Sequence, residues 1–266
     1  MDLRDLQTAL NTRGWTPPLA VDGGWGPKTV TAINALLAEV GAKGFTAWSP
    51  TRKELAAKQA VLTLFGIQAG KIDGLAGPQT QYALEVWDAR RRGDTSVETW
   101  RDSAPAVQST PGGAWPRQSG VPSFYGAVGT RQVTIPLPYP MVLAWDTSQT
   151  ITRMSLHEKV APSAARALDN VLAHYGMEKI HDLGLHLFGG SLNVRKMRGG
   201  SSYSMHAWGI AIDFDPERNQ LKWGRDRARL ARPDAEAFWR IWEAEGWVSL
   251  GRAANYDWMH VQAARL

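Results

Sequence analysis

The sequence predicts two folding units, an all-α N-terminal unit and an α+β C-terminal unit. Three observations lead to this prediction. A short segment occurs twice within residues 1–92 with a helical pattern after each copy, residues 93–120 show no sustained period, and residues 121–266 combine helical patterns with short apolar strands. The length of 266 residues is also typical of about two domains.

The composition excludes several classes of protein. The chain is 44% hydrophobic and 21% charged, which is ordinary for a globular protein, and it has no Cys for disulfides or thiolate metal ligands. No apolar run is long enough to span a membrane and the N-terminus lacks a secretory signal pattern, so we expect synthesis in the cytoplasm and no membrane insertion. The net charge of +5 favours anionic partners such as cell walls or nucleic acid.

The repeated segment has the composition of a turn that leads into a helix. Residues 21–29 (VDGGWGPKT) recur as residues 72–80 (IDGLAGPQT), and a helical stretch containing Gln7 or Gln59 precedes each copy. Asp-Gly suits the turn because Gly tolerates positive φ, and the Pro of each copy suits the first position of a helix. The helices that follow are predicted over residues 29–40 and 80–90.

The pattern of Gln followed by Asp-Gly-x-x-Gly-x-x-Thr resembles the helical peptidoglycan-binding module of many cell-wall hydrolases. The resemblance covers residues 1–92 and implies binding to bacterial peptidoglycan. The candidate contact residues are Asp22, Gly23, Trp25 and Asp73. In the second copy Ala76 stands where the first has Trp25. The alternative is that both copies are only structural helix pairs.

Residues 93–120 have the composition of a linker. They are rich in Pro, Gly, Ser and Thr and follow a basic triplet at residues 90–92. A bend or flexible tether here would let the N-terminal unit hold a polymer while the second unit acts on it.

The second unit is predicted to start near Val121. Its helices have an apolar stripe on one face and a Gly after the last turn, and its strands are short and apolar. The predicted helices span residues 162–175 and 233–245, and the predicted strands span residues 133–136, 141–145, 183–188 and 210–214.

A group of potential metal ligands lies on and around the last of these strands. Asp213 sits in a buried apolar run, where a carboxylate is costly unless it is paired or binds a metal, and His206 precedes it. His260, near the C-terminus, completes a His/Asp/His set that suits catalytic zinc, and Asp257 can serve as the base that acts on water. Asp215 is the rival carboxylate because it would share the strand face of Asp213.

These residues carry a second resemblance. Ser-x-His-x-x-Gly-x-Ala-x-Asp, followed later by Asp-x-x-His, is similar to the motifs of the VanY-like, M15-type family. This family comprises zinc D-Ala-D-Ala carboxypeptidases and L-alanyl-D-glutamate endopeptidases, including many phage endolysins. The resemblance implies a Hedgehog-like fold with a small antiparallel sheet, zinc ligands at His206, Asp213 and His260, and Asp257 as general base. The spacing from His206 favours Asp213 over Asp215.

Further residues near the motif are candidates for contacts with substrate. The family places an Arg upstream of the metal motif, where its guanidinium could stabilise an oxyanion, and Arg195 and Arg198 both fit, with Arg195 preferred. Ser204 and Tyr203 are candidates for hydrogen bonds to substrate. The remaining histidines are expected to be structural or exposed: His157, His174, His181 and His186.

The predicted function is hydrolysis of an amide bond in the peptidoglycan stem peptide by a monomeric, zinc-dependent endolysin that a holin releases to the wall. The bond cleaved stays open between L-Ala–D-Glu, D-Ala–D-Ala and a crosslink. One alternative is a wall-binding or virion structural protein with an inactive peptidase domain. Another is a nucleic-acid binder, which the scattered positive charge disfavours.

Overall fold

The computed structural model describes residues 1–99, 101 and 114–266. The chain divides into two compact units, one formed by Met1–Asp102 with Arg198–Gly200 and the other by Ser103–Met197 with Ser201–Leu266. Within the described residues there are nine α-helices and one six-stranded sheet. This mixed architecture fits the predicted α+β class. None of the helices in the described residues combines the length and hydrophobicity that crossing a membrane requires.

The described part of the first unit is built from helices. They are α1 (Leu3–Thr12), α2 (Pro27–Glu39), α3 (Pro50–Leu64), α4 (Pro78–Arg91) and α5 (Ser96–Thr99). Three of these helices begin with Pro, where the missing N–H has no intrahelical partner to lose. Helix α3 packs against α1, α2 and α4, and its small buried residues Ala56, Ala57 and Ala60 allow the close approach.

The segment predicted as a linker lies partly outside the described residues, which omit residue 100 and residues 102–113. Of its described part, Ser96–Thr99 forms α5, where Val97 is buried among apolar residues of the first unit. At the other end, Arg117 pairs in parallel with Arg265, and Gln118–Gly120 forms a 3-10 turn.

The second unit contains the sheet. Its strands are β1 (Gln132–Leu143), β2 (Asp146–His157), β3 (Leu187–Gly190), β4 (Ala211–Phe214), β5 (Val248–Ser249) and β6 (His260–Gln262), in the spatial order β2-β1-β3-β4-β6-β5. Its helices are α6 (Val121–Tyr125), α7 (Ala161–Leu183), α8 (Glu236–Ala244) and α9 (Leu250–Ala254). The strand β4, buried at every position, lies inside the sheet between β3 and β6.

The sheet is mixed, so the expectation of an antiparallel sheet was wrong in one pair. Strands β1 and β3 are parallel, whereas the other neighbouring pairs are antiparallel. The chain reaches β3 from β1 by way of β2 and then α7, so β3 runs opposite to β2 and in the same direction as β1.

The largest differences from the predicted elements lie in β1 and β2. The two short strands predicted at 133–136 and 141–145 form one strand, β1, with a register shift between Pro136 and Met141. Pro136, Pro138 and Pro140 have no N–H to donate, which accounts for the interrupted ladder. Strand β2 was not predicted because, as an edge strand, it exposes many polar residues and lacks an apolar run.

Residues 183–188, which were predicted as a strand, contain the end of α7 and the start of β3. The helix α7 is interrupted at Gly176, whose φ of 65° is not helical, but it resumes and ends only at Leu183. Gly184 caps it with a φ of 78°, and β3 starts at Leu187. The Gly signal at residue 176 therefore marked a kink rather than the end of the helix.

Candidate metal centre

Three buried side chains, from β4, from β6 and from the turn before β4, lie close together. Asp213 on β4 and His260 on β6 are directly paired across the antiparallel ladder, so their side chains leave the sheet on one face. His206 lies in a 3-10 turn, Met205–Trp208, just before β4. Among the described residues, these three form the one group of His, Cys, Asp or Glu side chains whose ligand atoms all lie within 4.8 Å of one another.

The turn that carries His206 is closed at both ends. The Ser204 hydroxyl accepts the backbone N–H of His206 at 3.4 Å. Gly209 ends the turn with a φ of 66°, a conformation that L side chains rarely adopt, and its N–H donates to the His206 carbonyl at 3.0 Å. The Ser and Gly of the motif thus fix the direction in which His206 enters the site.

The distances between the facing atoms fit a tetrahedral metal site. His206 Nε2 lies 3.1 Å from Asp213 Oδ1, His260 Nδ1 lies 2.9 Å from the same oxygen, and the two ring nitrogens are 3.2 Å apart. Zinc bonds of about 2.0–2.1 Å in a tetrahedron place neighbouring ligand atoms about 3.3 Å apart. Two imidazoles and a carboxylate are also a donor set that zinc accepts.

The outer nitrogen of His206 is held by the protein. Nδ1 lies 2.7 Å from the carbonyl oxygen of Ser191, so the ring donates its Nδ1–H there and presents the Nε2 lone pair to the centre. Metal-binding histidines are commonly oriented by such a hydrogen bond on the second nitrogen. Ser191 follows β3 directly, and its own hydroxyl donates to the Ser155 carbonyl on β2 at 2.8 Å.

The electrostatics of the three groups are coupled. Burial lowers the pKa of His206, against the opposing attraction of Asp213. For His260 burial also favours the neutral ring, but the hydrogen bond and charge of Asp213 outweigh it and raise the pKa of His260. Burial raises the pKa of Asp213, but the two rings hold that pKa well below its usual range. Asp213 is therefore a carboxylate, as a metal ligand must be.

Asp257 precedes His260 by three residues, but its backbone conformation is not that of a strand. It is buried, its φ is 58°, and its N–H donates to the Leu221 carbonyl at 3.0 Å. Its carbonyl accepts the N–H of His260 at 3.1 Å, which closes a turn through Trp258 and Met259. The charge of Asp257 also contributes to the raised pKa of His260, after burial and the interactions with Asp213.

The two candidate arginines are placed differently. Arg195 is 7% exposed, donates from Nη1 to the Lys196 carbonyl at 3.0 Å, and its charge contributes to the lowered pKa of His206. Arg198 groups with the residues of Met1–Asp102 rather than with the unit that contains His206. Arg195 is thus the candidate arginine that belongs to the same unit as His206, Asp213 and His260.

The two candidate substrate contacts also differ. Tyr203 is 45% exposed and its ring meets that of Trp208 edge to face, with 5.9 Å between centroids. The hydroxyl of Ser204 is instead engaged in capping the His206 turn. The side chain of Tyr203 is thus exposed, and the Ser204 oxygen accepts a hydrogen bond from the turn that carries His206.

The rival carboxylate, Asp215, points elsewhere. It follows the end of β4 with a φ of 47°, which breaks the strand alternation that would have placed it beside Asp213. Its carboxylate accepts from Arg218 Nε at 2.5 Å, and burial raises its pKa.

The other four histidines stand apart from the group. His157 is buried and hydrogen-bonded to backbone groups, and His174 is exposed on α7. The rings of His181 and His186 stack on each other with centroids 4.0 Å apart.

The repeated loops of the first unit are organised by the two glutamines. The Gln7 amide donates to the Asp22 carboxylate, the Gly24 carbonyl and the Thr29 hydroxyl, at 3.0, 3.2 and 3.1 Å, and its oxygen accepts the Gly23 N–H at 2.9 Å. The hydrogen bonds from Gln7 and then from the Gly24 N–H lower the pKa of Asp22.

The second loop repeats this arrangement around Gln59. Its amide donates to Asp73, the Leu75 carbonyl and the Thr80 hydroxyl, at 3.3, 3.1 and 2.9 Å. Asp22 and Asp73 are thus engaged in holding their own loops. Trp25 is partly buried against the apolar core of the first unit.

Three residues that were not predicted to belong to the site lie against its side chains. A side chain at Gly189 would bring its Cβ within 2.8 Å of the Asp213 Cβ, so the close approach of β3 to β4 requires Gly there. The Ser191 carbonyl orients His206, and Gln262 contacts His260. Only Gln262 had a sequence signal, since it follows His260 by two residues in a strand and so shares its face.

The model of a D-alanyl-D-alanine carboxypeptidase family matches residues 198–263, about a quarter of the chain. The matched residues include His206, Asp213, Asp257 and His260. Peptidases of this M15 type depend on zinc, and the match indicates a metallopeptidase activity directed at D-Ala-D-Ala peptides or peptidoglycan. A search of curated proteins found no match, and neither did a search of solved structures.

Proposed function

We propose that the second unit is a zinc peptidase that hydrolyses an amide bond in the stem peptide of bacterial peptidoglycan. The observation that carries this proposal is the convergence of His206 Nε2, Asp213 Oδ1 and His260 Nδ1 within 3.2 Å of one another, inside the region that the carboxypeptidase model matches. Zinc bound by these three atoms would supply Lewis-acid polarisation of the scissile carbonyl and a lowered pKa for the attacking water.

In this proposal Asp257 transfers a proton from the attacking water to the leaving group. Its carboxylate accepts the proton from the attacking water and passes it to the nitrogen of the leaving amine, as a general base that becomes a general acid. The turn through Trp258 and Met259 sets Asp257 off the strand that carries His260, so the two groups can approach the same centre from different directions.

Arg195 and Tyr203 take part on the substrate side. The buried guanidinium of Arg195 favours negative charge on the carbonyl oxygen as it develops in the transition state. The exposed phenol of Tyr203, beside Trp208, is a contact for the stem peptide.

We further propose that the first unit is a helical wall-binding domain, which would make the whole protein an endolysin. Residues 1–92 carry 11 Lys and Arg against 8 Asp and Glu, a charge that suits an anionic wall. The support is the resemblance of the two Gln-organised loops to a wall-binding module. Because Asp22 and Asp73 hold the loops together, we expect their loss to act on the stability of this domain as well as on binding.

Digestion of purified sacculi tests the catalytic proposal. Wild-type protein should release stem-peptide fragments whose masses identify the cleaved bond, a chelator should stop the reaction, and added zinc should restore it. The His206→Ala protein is the negative control. Absence of any peptide-bond cleavage by zinc-loaded wild type would reject the peptidase and leave a wall-binding protein.

Sedimentation with sacculi tests the binding proposal separately. A fragment ending at Thr99, which keeps the buried Val97 of α5, should pellet with the sacculi. If this fragment folds, judged by its helical circular dichroism, and stays in the supernatant while the full chain pellets, the wall-binding assignment is wrong.

A further inference from the structure

His260 can bind a metal through Nδ1 only if the ring proton lies on Nε2, and a buried Nε2–H needs an acceptor. The group in that position is Oε1 of Gln262, 3.2 Å from Nε2. Gln262 is 1% exposed. Both residues belong to β6 and are two positions apart, so their side chains lie on one face of the strand.

The orientation of the Gln262 amide is fixed by its other contacts. Its Nε2 donates to the Ala264 carbonyl at 2.8 Å, and the amide of Gln118 donates to its Oε1 at 3.4 Å. If the amide were turned over, its oxygen would face the Ala264 carbonyl, which can only accept a hydrogen bond. That contact would be repulsive, so Oε1 must be the atom that faces His260.

Gln118 is in turn held by the end of the chain. Its backbone N–H donates to the Arg265 carbonyl at 2.8 Å, and the Arg265 N–H donates to the Pro116 carbonyl at 2.8 Å. The Arg265 side chain also donates from Nε to the Trp115 carbonyl at 2.9 Å. The chain just before α6 is therefore hydrogen-bonded to the C-terminal end of the second unit, next to the residue that contacts His260.

We propose that Gln262 is a positioning residue that keeps the Nδ1 lone pair of His260 directed at the metal, and that Gln118 fixes Gln262 in that orientation. The inference rests on the proposed zinc centre. Gln262 contacts neither the substrate nor the metal. Loss of such an outer hydrogen bond typically weakens metal binding by about 10- to 100-fold.

Three variants separate the role of the acceptor from that of simple packing. Gln262→Leu removes the acceptor, and zinc should bind about 10- to 100-fold more weakly in competition with a chromophoric chelator. Gln262→Glu keeps an oxygen for the His260 Nε2–H but turns its second oxygen toward the Ala264 carbonyl, so its zinc affinity should lie between those of the Leu variant and wild type. Gln118→Leu leaves Gln262 in place and should also fall between the Leu variant and wild type.

NMR spectra of the zinc-loaded protein show directly which nitrogen of the His260 ring carries the proton. Imidazole ¹⁵N and N–H resonances of wild type should show His260 bonded through Nδ1 with a protected proton on Nε2, and His206 with a protected proton on Nδ1. In Gln262→Leu the His260 proton should exchange faster while the His206 proton, bonded to the Ser191 carbonyl, does not change.

The outcomes distinguish this inference from the proposed function. Wild type that binds zinc through Nε2 of His260 would overturn the role of Gln262 alone, even if the Leu variant fails to fold. Equal zinc affinity of a folded Gln262→Leu protein would overturn it as well. Wild type that binds no zinc would overturn the metal centre itself and the inference with it.

Discussion

Asp257 differs from the candidate ligands in the backbone that carries it. The side chains of Asp213 and His260 leave paired strands, whereas Asp257 has a φ of 58° and precedes a turn. A non-Gly residue with this φ is uncommon, and surrounding hydrogen bonds at its N–H and carbonyl hold it there. Asp257 therefore lies outside the paired strands that carry Asp213 and His260.

The first prediction concerns the proton-transfer role of Asp257. The Asp257→Asn side chain has the same shape but does not accept a proton at neutral pH. Turnover on sacculi should fall by about 10²–10⁴-fold, the usual contribution of general acid–base catalysis, while zinc content stays at the wild-type level. Loss of zinc from this variant would instead make Asp257 a ligand, and full activity would place the base elsewhere.

The second prediction compares the two arginines. Removal of a group that stabilises an oxyanion typically costs about 10²–10³-fold in kcat, so Arg195→Ala should show a loss of that order with unchanged zinc content. Arg198→Ala is the matched control and should retain far more activity. If the Arg198 variant suffers the larger loss in kcat, the assignment of Arg195 is incorrect.

At the scale of elements, β2 ends at His157, whose protonation should change the free energy of unfolding of the second unit. His157 is fully buried, its Nδ1 accepts the N–H of Lys159 at 3.1 Å, and its Nε2 lies 3.0 Å from the Tyr125 carbonyl. The neutral ring with its proton on Nε2 satisfies both contacts. A second proton would face the Lys159 N–H, and burial lowers the pKa of His157.

The third prediction follows from the sign of that shift. Because the folded protein binds this proton less readily than the unfolded chain, His157 contributes stability above its unfolded pKa of about 6.5 that is lost as pH falls through the lower, folded value. The free energy of unfolding from urea titrations should therefore fall more between about pH 7.5 and 5.5 for wild type than for His157→Gln.

His174→Gln supplies the comparison for this prediction, since His174 is exposed on α7. It should keep the wild-type pH dependence. Equal slopes for wild type and His157→Gln would show that His157 does not titrate differently on folding.

How far the sequence predicts these elements depends on where each lies in the sheet. Strand β4 was predictable because it is central and buried on both faces, which leaves a continuous apolar run. The edge strand β2 was not, because half of its residues are exposed and polar. The parallel pairing of β1 with β3 depends on the course of α7, which no local pattern specifies.

At the scale of the whole molecule, the sequence motifs predicted which side chains meet but not what supports them. His206, Asp213 and His260 have residue types and spacings that indicate a metal. The Ser191 carbonyl is a backbone group with no signature in the side-chain pattern, and Gln118 reaches Gln262 from a segment with the composition of a linker. Such long-range contacts depend on the fold rather than on local sequence.

The division into two units has a consequence for truncation. A fragment that starts at Val121, where the sequence predicts the second domain to begin, would lack Trp115, Pro116 and Gln118 and their contacts with Arg265 and Gln262. A catalytic fragment should therefore include residues from Ala114 onward.

The measurement that tests the central claim most directly is the zinc content per chain by native mass spectrometry. Wild type and the His174→Ala control should each carry one zinc, and His206→Ala should lose most of it, since His206 supplies one of three protein ligands. Full zinc in a folded His206→Ala protein, or none in wild type supplied with zinc, would contradict the assignment of His206, Asp213 and His260 as a metal centre.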